Sequence, residues 1–385
     1  MSGKPKVAVL FPAFLGGGAE SVCAWMLEAL KTQYEPTLFT FSPIELESLN
    51  RMYATELSNG QVRVETARLP RWVPSHLGTS HRYLTLRQHL LIRYFKQRKE
   101  TYDIVVSAFN EMDLGRPGLQ YVHFPMVGRG HEAARRMVGY PDSAGRRLCR
   151  AACRLLSDFS DKRMRQNYTI ANSHWTAALI ERLYHVNPVV VHPPVVAGCP
   201  EIPWEERENG FVLIARVVPD KKLERAIRIV GQLRARGADA HLHVIGAGDH
   251  KYQSSLKNLA GDADWIFWEG ELSRAEFNSL LARHRYGIHT RENEHFGIGI
   301  AEMLKSCCIP FVPANGGPME IVGGEERLIF RDEDEAVGKI MEVIGSPRLQ
   351  MELKVRLRER AYLFSTEKFV HTMLGVVNDF VAAHG

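Results

Sequence analysis

The sequence lacks the features that mark membrane-spanning, disulfide-stapled and low-complexity chains. None of its apolar runs approaches the ~18–20 residues that a helix needs to cross a bilayer. Its six cysteines are scattered and form no C-x-x-C pair, so neither a disulfide framework nor a cysteine-based metal site is expected. Low-complexity tracts and internal repeats are also missing. These absences leave a globular protein as the expectation, located in the cytoplasm.

The chain is 385 residues long, which suits two domains of ordinary size. Residues 6–12 (KVAVLFP) have the apolar pattern of a buried strand and run through a glycine-rich loop into a helix-periodic stretch, as in the first unit of a doubly wound α/β domain. Strand and helix patterns then alternate on both sides of an irregular, proline-containing linker at residues 195–210. We predict two Rossmann-like domains, residues 1–195 and 196–385, that face each other across a cleft, with the last helix free to pack back on the first domain.

The net charge of +5 conceals an asymmetry between the two halves. Lys and Arg outnumber Asp and Glu by 25 to 16 in residues 1–190, but are outnumbered by 28 to 24 in residues 191–385. The basic excess is concentrated in residues 81–99 and 146–156, where cations alternate with apolar residues at helical spacing. Such helices either expose a solvated basic face or meet anionic lipid or nucleic acid.

Two short motifs have the composition of phosphate-binding segments. GGGAES, which contains Gly17 and Gly18, lies between a strand and a helix, where backbone amides and the helix dipole favour an anion. It departs from the G-x-G-x-x-G spacing of dinucleotide-binding loops. A tight turn that binds no ligand would have the same composition. ARVVPDKK places Arg216 and Lys221 just after a predicted strand, where they could hold a diphosphate or simply lie on the surface.

The stretch EHFGIGIAE places two carboxylates around a predicted helix start. Glu294 lies in the preceding loop and Glu302 lies inside the helix, and the amides of Phe296, Gly297 and Ile298 are predicted to be available to an anion. A carboxylate can accept paired hydrogen bonds from vicinal hydroxyls, so this spacing suits a sugar, a diphosphate and a ribose in turn. The plainer alternative is a solvated glutamate followed by one that stabilises an early helical turn.

The motifs GGGAES, ARVVPDKK, ENEHFGIGIAE and ANGGPMEIV, in this order and spacing, resemble the family 4 retaining glycosyltransferases of GT-B fold. The signature of that family is two glutamates separated by seven residues. Locally, NEHFGIGIAE, NGGPMEIV, YVHFP and ANSHWTAALI look most like the branch that contains the α-1,2-mannosyltransferase of dolichol-linked oligosaccharide synthesis. The resemblance implies an acceptor-binding first domain and a second domain that binds a nucleotide-sugar donor.

The resemblance also implies roles for the residues of the second half. Glu302 would hold the ribose hydroxyls of the nucleotide, and Glu294 would contact the transferred sugar. Arg216 and Lys221 would neutralise the diphosphate leaving group, next to the amides of residues 296–298.

In the first half, Gly17 and Gly18 would close over the diphosphate, and His123 would reach the donor sugar. A histidine with all its hydrogen bonds satisfied at a strand end is the plainer alternative for His123. One departure is that Cys307–Cys308 stand where relatives usually have small residues and glycine, which affects only the turn before the next strand.

The resulting hypothesis is a retaining hexosyltransferase that uses same-face displacement, with charge neutralisation and positioning as the work of the protein. The expected donor is GDP-mannose or a UDP-sugar, and the acceptor is a glycan or a lipid-linked glycan. No cofactor or metal is required, and the basic first domain could meet an anionic membrane surface. The alternatives are an enzyme with a small soluble acceptor, of synthase or epimerase type, and a silent sugar-binding homologue. A nucleic-acid-binding protein is the third, but it has no use for the two glutamates.

Overall fold

The computed structural model divides into two compact α/β units. Unit 1 comprises Met1–Pro194 and Thr366–Gly385, and unit 2 comprises Val195–Ser365. The structure describes residues 3–14, 16–67, 83–126, 143–196 and 202–384. Each unit is a parallel sheet flanked by helices, which confirms the predicted pair of Rossmann-like domains.

Unit 1 is built on a parallel sheet of seven strands in the order β3-β2-β1-β4-β5-β6-β7. The strands are β1 (Lys6–Leu10), β2 (Glu35–Thr40), β3 (Arg63–Thr66), β4 (Ile104–Ser107), β5 (Leu119–Val122), β6 (Tyr168–Ala171) and β7 (Val189–Val190). The central strands read as continuous apolar runs because helices cover both faces of a parallel sheet. The sequence analysis missed β3, whose RVET pattern is only partly buried.

The helices of unit 1 lie between these strands, with one addition from the end of the chain. They are α1 (Gly18–Leu30), α2 (Leu46–Tyr53), α3 (Leu84–Lys96), α4 (Ala144–Leu156), α5 (Asp161–Met164), α6 (His174–Tyr184) and the C-terminal helix, Thr366–His384. This last helix buries Phe369, Met373 and Val377 in the core of unit 1, so unit 2 ends at Ser365 and the last helix of the predicted second domain belongs to the first unit, as the sequence analysis allowed.

Unit 2 repeats the architecture with six parallel strands in the order β10-β9-β8-β11-β12-β13. The strands are β8 (Glu208–Ile214), β9 (Leu242–Ile245), β10 (Ile266–Gly270), β11 (His284–Ile288), β12 (Ile309–Pro313) and β13 (Ile329–Phe330). Strand β8 begins inside the predicted linker, because its first residues, ENG, are polar and do not show the apolar pattern of the strand.

The helices described in unit 2 connect these strands or follow them. They are α7 (Leu223–Ala235), α8 (His250–Ala260), α9 (Arg274–Arg283), α10 (Ile298–Lys305), α11 (Pro318–Ile321), α12 (Glu333–Ile344) and α13 (Pro347–Ala361), and the C-terminal helix of unit 1 is α14. Ser273 and Glu276 form a capping box at the start of α9, which explains its sharp beginning. The chain builds β8, β9 and β10 outward on one side and then returns to β11 beside β8. In open α/β sheets, ligands bind at the carboxyl ends of the strands where the order reverses in this way.

Candidate functional site

The loop after β11 gathers buried charges around Glu294, which is 9% exposed. Its carboxylate lies 2.5 Å from Lys221 Nζ and 3.1 Å from Arg291 Nη1. His289 Nε2 is 3.8 Å from the same carboxylate. Arg291 also forms an ion pair with Asp220 at 3.0 Å. Ion pairs therefore connect the loops after β8 and β11 at the carboxyl edge of the sheet. The predicted contact of Glu294 with a sugar would therefore be made by a carboxylate that is already paired twice.

These charges fix the protonation states of the cluster. Burial by itself would raise the pKa of Glu294, but the charges of Lys221 and Arg291 hold it far below its usual range. Burial lowers the pKa of His289 to about 4, so its imidazole is neutral at neutral pH. A carboxylate this acidic is a weak base and a weak nucleophile.

Two glycines explain how the loop after β12 comes close enough to clamp the Glu294 loop. Gly317 N–H donates to the Glu294 carbonyl at 2.8 Å. A Cβ on Gly316 would lie 2.7 Å from the Glu294 carbonyl oxygen, and one on Gly317 would lie 2.3 Å from the His295 carbonyl oxygen. The NGGP motif therefore serves the close approach of two backbones.

The start of α10 also depends on glycine. Gly297 precedes the helix with φ 97°, a left-handed conformation that a side chain disfavours. A Cβ on Gly299 would lie 2.9 Å from the Cβ of Ile214, so this glycine lets α10 begin directly against the end of β8. Phe296 is 3% exposed and its ring packs edge-on against Phe364, so only its main chain could face a ligand. Ile298, the first helical residue, is partly exposed.

Glu302 lies in the second turn of α10 with its side chain 12% exposed. Arg274, at the start of α9, donates to its carboxylate at 2.8 Å. Burial raises the pKa of Glu302, and the charge of Arg274 opposes that rise. The other predicted cation, Arg216, follows β8 with an exposed side chain, and no described residue pairs with it. Unit 2 thus carries an exposed cation and two glutamates, each held by an arginine, at one edge of the sheet.

Unit 1 carries the remaining predicted residues at the carboxyl ends of β1 and β5. Gly17 precedes α1 with φ 157°, a backbone conformation that side chains rarely adopt, and Gly18 is the first residue of the helix; a Cβ on Gly17 would meet nothing within 4 Å. His123 Nε2 lies 3.0 Å from the Ala108 carbonyl oxygen, so Nε2 carries the proton and donates to it. Nδ1 can then accept a hydrogen bond from a ligand hydroxyl. Burial lowers the pKa of His123 to about 4. Asn110 accepts the His123 N–H and fixes this loop.

Sequence reasoning missed three partners of the two predicted glutamates: Arg291 and His289 beside Glu294, and Arg274 beside Glu302. Arg291 is three residues before Glu294, a spacing that could have indicated the pair. Arg274 precedes Glu302 by 28 residues and is brought to it only by the packing of α9 against α10, so the sequence offers no signal.

Solved structures identify the class of fold. The HepE protein of Anabaena in complex with UDP and glucose superposes with a TM-score of 0.66 at 14% identity, covering 97% of this chain and 99% of that one. WaaG, described as a glycosyltransferase involved in lipopolysaccharide biosynthesis, superposes with a TM-score of 0.69 at 12% identity, covering 96% and 99%. The chain has the GT-B fold of glycosyltransferases.

The family follows from the sequence of unit 2. Residues 200–364 match the family described as Glycosyl transferases group 1, so this part of the chain is a glycosyltransferase group 1 domain.

Curated relatives are mannosyltransferases. A GDP-Man:Man(3)GlcNAc(2)-PP-Dol alpha-1,2-mannosyltransferase of Dictyostelium discoideum is 25% identical over 55% of this chain and 47% of its own length. The human protein of the same name is 26% identical over 54% and 47%. The match thus spans about half the length of these relatives. The human alpha-1,3/1,6-mannosyltransferase ALG2 is 22% identical over 96% of this chain and 95% of its own. In the part of the chain that the structure describes, no helix combines the length and apolar character needed to cross a membrane.

Proposed function

We propose that this protein transfers a hexose, with mannose preferred, from a nucleotide diphosphate sugar to a hydroxyl of a glycan or lipid-linked acceptor. The observation that carries the proposal is the edge of unit 2, where Glu302, Glu294, Lys221 and Arg216 lie on loops and a helix start within a glycosyltransferase group 1 domain. The names of the relatives favour GDP-mannose as donor and a dolichol-linked pyrophosphate glycan as acceptor.

The donor assignment rests on the charges of this edge. Glu302 would accept hydrogen bonds from the ribose hydroxyls, and its contact with Arg274 supports the ionised form that accepts them best. Arg216, exposed beside the end of β8, would meet the diphosphate together with Lys221. Because Lys221 already holds Glu294, its ammonium is pre-positioned and loses little side-chain freedom when a phosphate binds.

The proposed reaction is a same-face displacement that retains the configuration of the sugar. The bond between the anomeric carbon and the diphosphate oxygen breaks, and the acceptor oxygen bonds to the same face. The acceptor proton passes to an oxygen of the leaving diphosphate. The pairing of Glu294 with two cations supports this path over attack by a carboxylate, because its low pKa makes it a poor nucleophile and a poor base. Lys221 and Arg216 supply the positive charge, so the proposal includes no metal.

Unit 1 is proposed to bind the acceptor, with His123 directed to the donor sugar through its Nδ1 and the loop of Gly17 and Gly18 at the diphosphate. We also propose cytoplasmic location and peripheral contact with an anionic membrane through the basic first half. Helix α4 supports that contact, since Leu148 and Leu155, seven residues apart on one helix face, are 73% and 86% exposed in a segment rich in arginine.

The test of the reaction is a transfer assay with GDP-mannose and a lipid-linked pyrophosphate oligosaccharide, with the anomeric configuration of the product read by NMR. An α-linked product, absent with Lys221→Met and present with the exposed Lys257→Met control, is the expected result. A product of inverted configuration would refute the displacement mechanism. Transfer to free sugars alone would favour an enzyme with a soluble acceptor.

The membrane contact is tested by sedimentation with liposomes that contain phosphatidylserine. Binding should weaken when salt rises from low to physiological concentration, because exposed charges are screened over a Debye length of about 8 Å at 0.15 M. It should weaken further with Leu148→Ser and Leu155→Ser together. Binding that is insensitive to salt would contradict the proposal.

A further inference from the structure

A histidine cluster lies at the amino end of the unit 2 sheet, the edge opposite to the charged loops described above. Its members come from the two strands that flank β8: His241 and His243 from β9 and its approach, and His284 from the start of β11. One ring nitrogen of each histidine lies within 4.8 Å of those of the other two. Strand β8 runs between β9 and β11, and it begins at Glu208.

The distances in this cluster are close to those of a tetrahedral zinc site. Zinc–nitrogen bonds of about 2.0–2.1 Å place two ligands of a tetrahedron about 3.3 Å apart. His241 Nε2 and His284 Nε2 are 3.0 Å apart. Glu208 Oε2 is 3.3 Å from His241 Nε2 and 3.8 Å from His284 Nε2, so this carboxylate lies beside two of the three rings. Shifts of a few tenths of an ångström would complete the geometry around these three residues.

In two of the rings, one nitrogen makes a hydrogen bond outside the cluster, as it does in metal-bound histidines. His284 Nδ1 donates to the Leu280 carbonyl at 2.6 Å, which leaves its Nε2 as the atom with a lone pair. His243 Nδ1 lies 2.6 Å from Glu269 Oε1, so Nε2 is the nitrogen left for a metal. Such outer contacts with a carbonyl or a carboxylate fix the ring and its tautomer in metal sites.

The backbone leaves the space that the cluster requires. A Cβ on Gly210, in β8, would lie 2.2 Å from His241 Nε2 and 2.4 Å from His284 Cδ2. The His284 side chain is fully buried, and those of His241 and His243 are 21% and 11% exposed, so the rings are largely shielded from water. A metal held there would replace the direct contact between two imidazoles with bonds to both.

We propose that His241, His243, His284 and Glu208 form a structural site for zinc or a similar divalent cation that joins three neighbouring strands of unit 2. The site lies at the edge of the sheet opposite to Glu294 and Glu302, so it has no part in the transfer chemistry. It differs from the expectation that the chain has no metal site, because H-x-H on β9 becomes a set of ligands only when β11 brings in His284.

The experiment uses the full chain with its purification tag removed, stripped of metal and titrated with zinc against a chromophoric chelator. One zinc per chain with a Kd in the micromolar range or below is expected, together with a rise in the melting temperature. Cobalt in place of zinc should give the visible absorption bands of a tetrahedral site. His241→Asn should abolish the cobalt bands and the rise in melting temperature. The exposed His250→Asn is the matched control and should change neither.

A second variant separates ligation from folding. Glu269→Gln keeps the size of the side chain and should weaken zinc binding by about 10–100-fold, the usual effect of losing an outer contact to a ligand. Far-UV circular dichroism checks that each variant is folded. The proposal is overturned if the folded chain binds no zinc in stoichiometric amount, or if His241→Asn and His250→Asn bind it equally. Either result would make the cluster a set of hydrogen-bonded rings.

Discussion

Removing the ammonium of Lys221 should destabilise unit 2 unless the charge of Glu294 is removed with it. The two side chains are only 15% and 11% exposed and lie 2.5 Å apart, so Lys221→Met leaves a carboxylate in a poorly solvated place. Losing one partner of a buried pair costs about 3–5 kcal/mol. Arg291 still contacts Glu294 at 3.1 Å, which brings the expected loss down to about 2–3 kcal/mol.

The double variant Lys221→Met/Glu294→Gln should recover part of that loss. Gln replaces the charge with a neutral group of the same size, so we expect a coupling free energy of about 1–3 kcal/mol between the two positions. The free energy of unfolding is measured in urea by circular dichroism. Hydrogen exchange of peptides from residues 284–302 assigns the transition to unit 2. The exposed pair Lys257→Met and Glu271→Gln is the control and should be additive.

Additivity within about 0.5 kcal/mol at Lys221 and Glu294 would refute the reasoning, because independent sites show that behaviour. It would mean that the two charges are solvated in solution and that Lys221 is not pre-positioned for a phosphate.

Three further predictions concern the glycine contact between two loops, the turn at Cys307 and the pH dependence of stability. Gly317→Ala should abolish donor binding in calorimetry, because its Cβ would lie 2.3 Å from the His295 carbonyl oxygen and separate the two loops; unchanged affinity would contradict the clamp. Cys307 has φ 61°, so Cys307→Gly should alter the free energy of unfolding by less than about 1 kcal/mol, whereas Cys307→Val should lower it by more than that in urea denaturation. Equal effects would show that the turn has another path. Burial lowers the pKa of His89, His123 and His289 to about 4, so between pH 6.5 and 4 the unfolded chain binds more protons than the folded one. The contribution of these three histidines to stability should be complete well above pH 6.5, and stability should fall by about 3.6 kcal/mol per unit near pH 5.5, the slope for about 2.6 protons; a flat profile in urea would contradict this.

The alternation of strands and helices was readable from the sequence because parallel strands are buried on both faces and appear as apolar runs. The exceptions have local reasons. Strand β3 is short and partly polar, and the first residues of β8 resemble a loop. The sequence analysis allowed helix α14 to pack on the first domain but could not require it, because an apolar stripe suits either unit; the fold places Phe369 in the core of unit 1.

The sequence predicted the candidate site correctly where residues close together in the sequence act together. The glutamates of EHFGIGIAE, the cation Lys221 and the glycines of NGGP all lie at one edge of the unit 2 sheet, as the positions after strands required. Their partners were not predictable. Arg274 reaches Glu302 only because two helices pack, and His284 reaches His241 only because β8 separates their strands by a single position.

The turn at Cys307–Cys308 shows how a departure from a motif can preserve the path of the chain. Cys307 adopts the left-handed conformation that glycine usually supplies, and Cys308 is buried with its Sγ 3.4 Å from the Leu281 carbonyl. The change therefore leaves β12 in place at a cost of about 1–2 kcal/mol of backbone strain.

The central claim is that unit 2 binds a nucleotide-sugar through Glu302. It is tested most directly by calorimetric titration of the purified protein with a panel of GDP- and UDP-sugars, repeated on Glu302→Ala and on the exposed control Glu271→Gln. The account predicts that one donor, GDP-mannose first, binds the parent and the control and that Glu302→Ala loses this binding. Binding of none of these donors by the parent, or equal binding by Glu302→Ala, would contradict it.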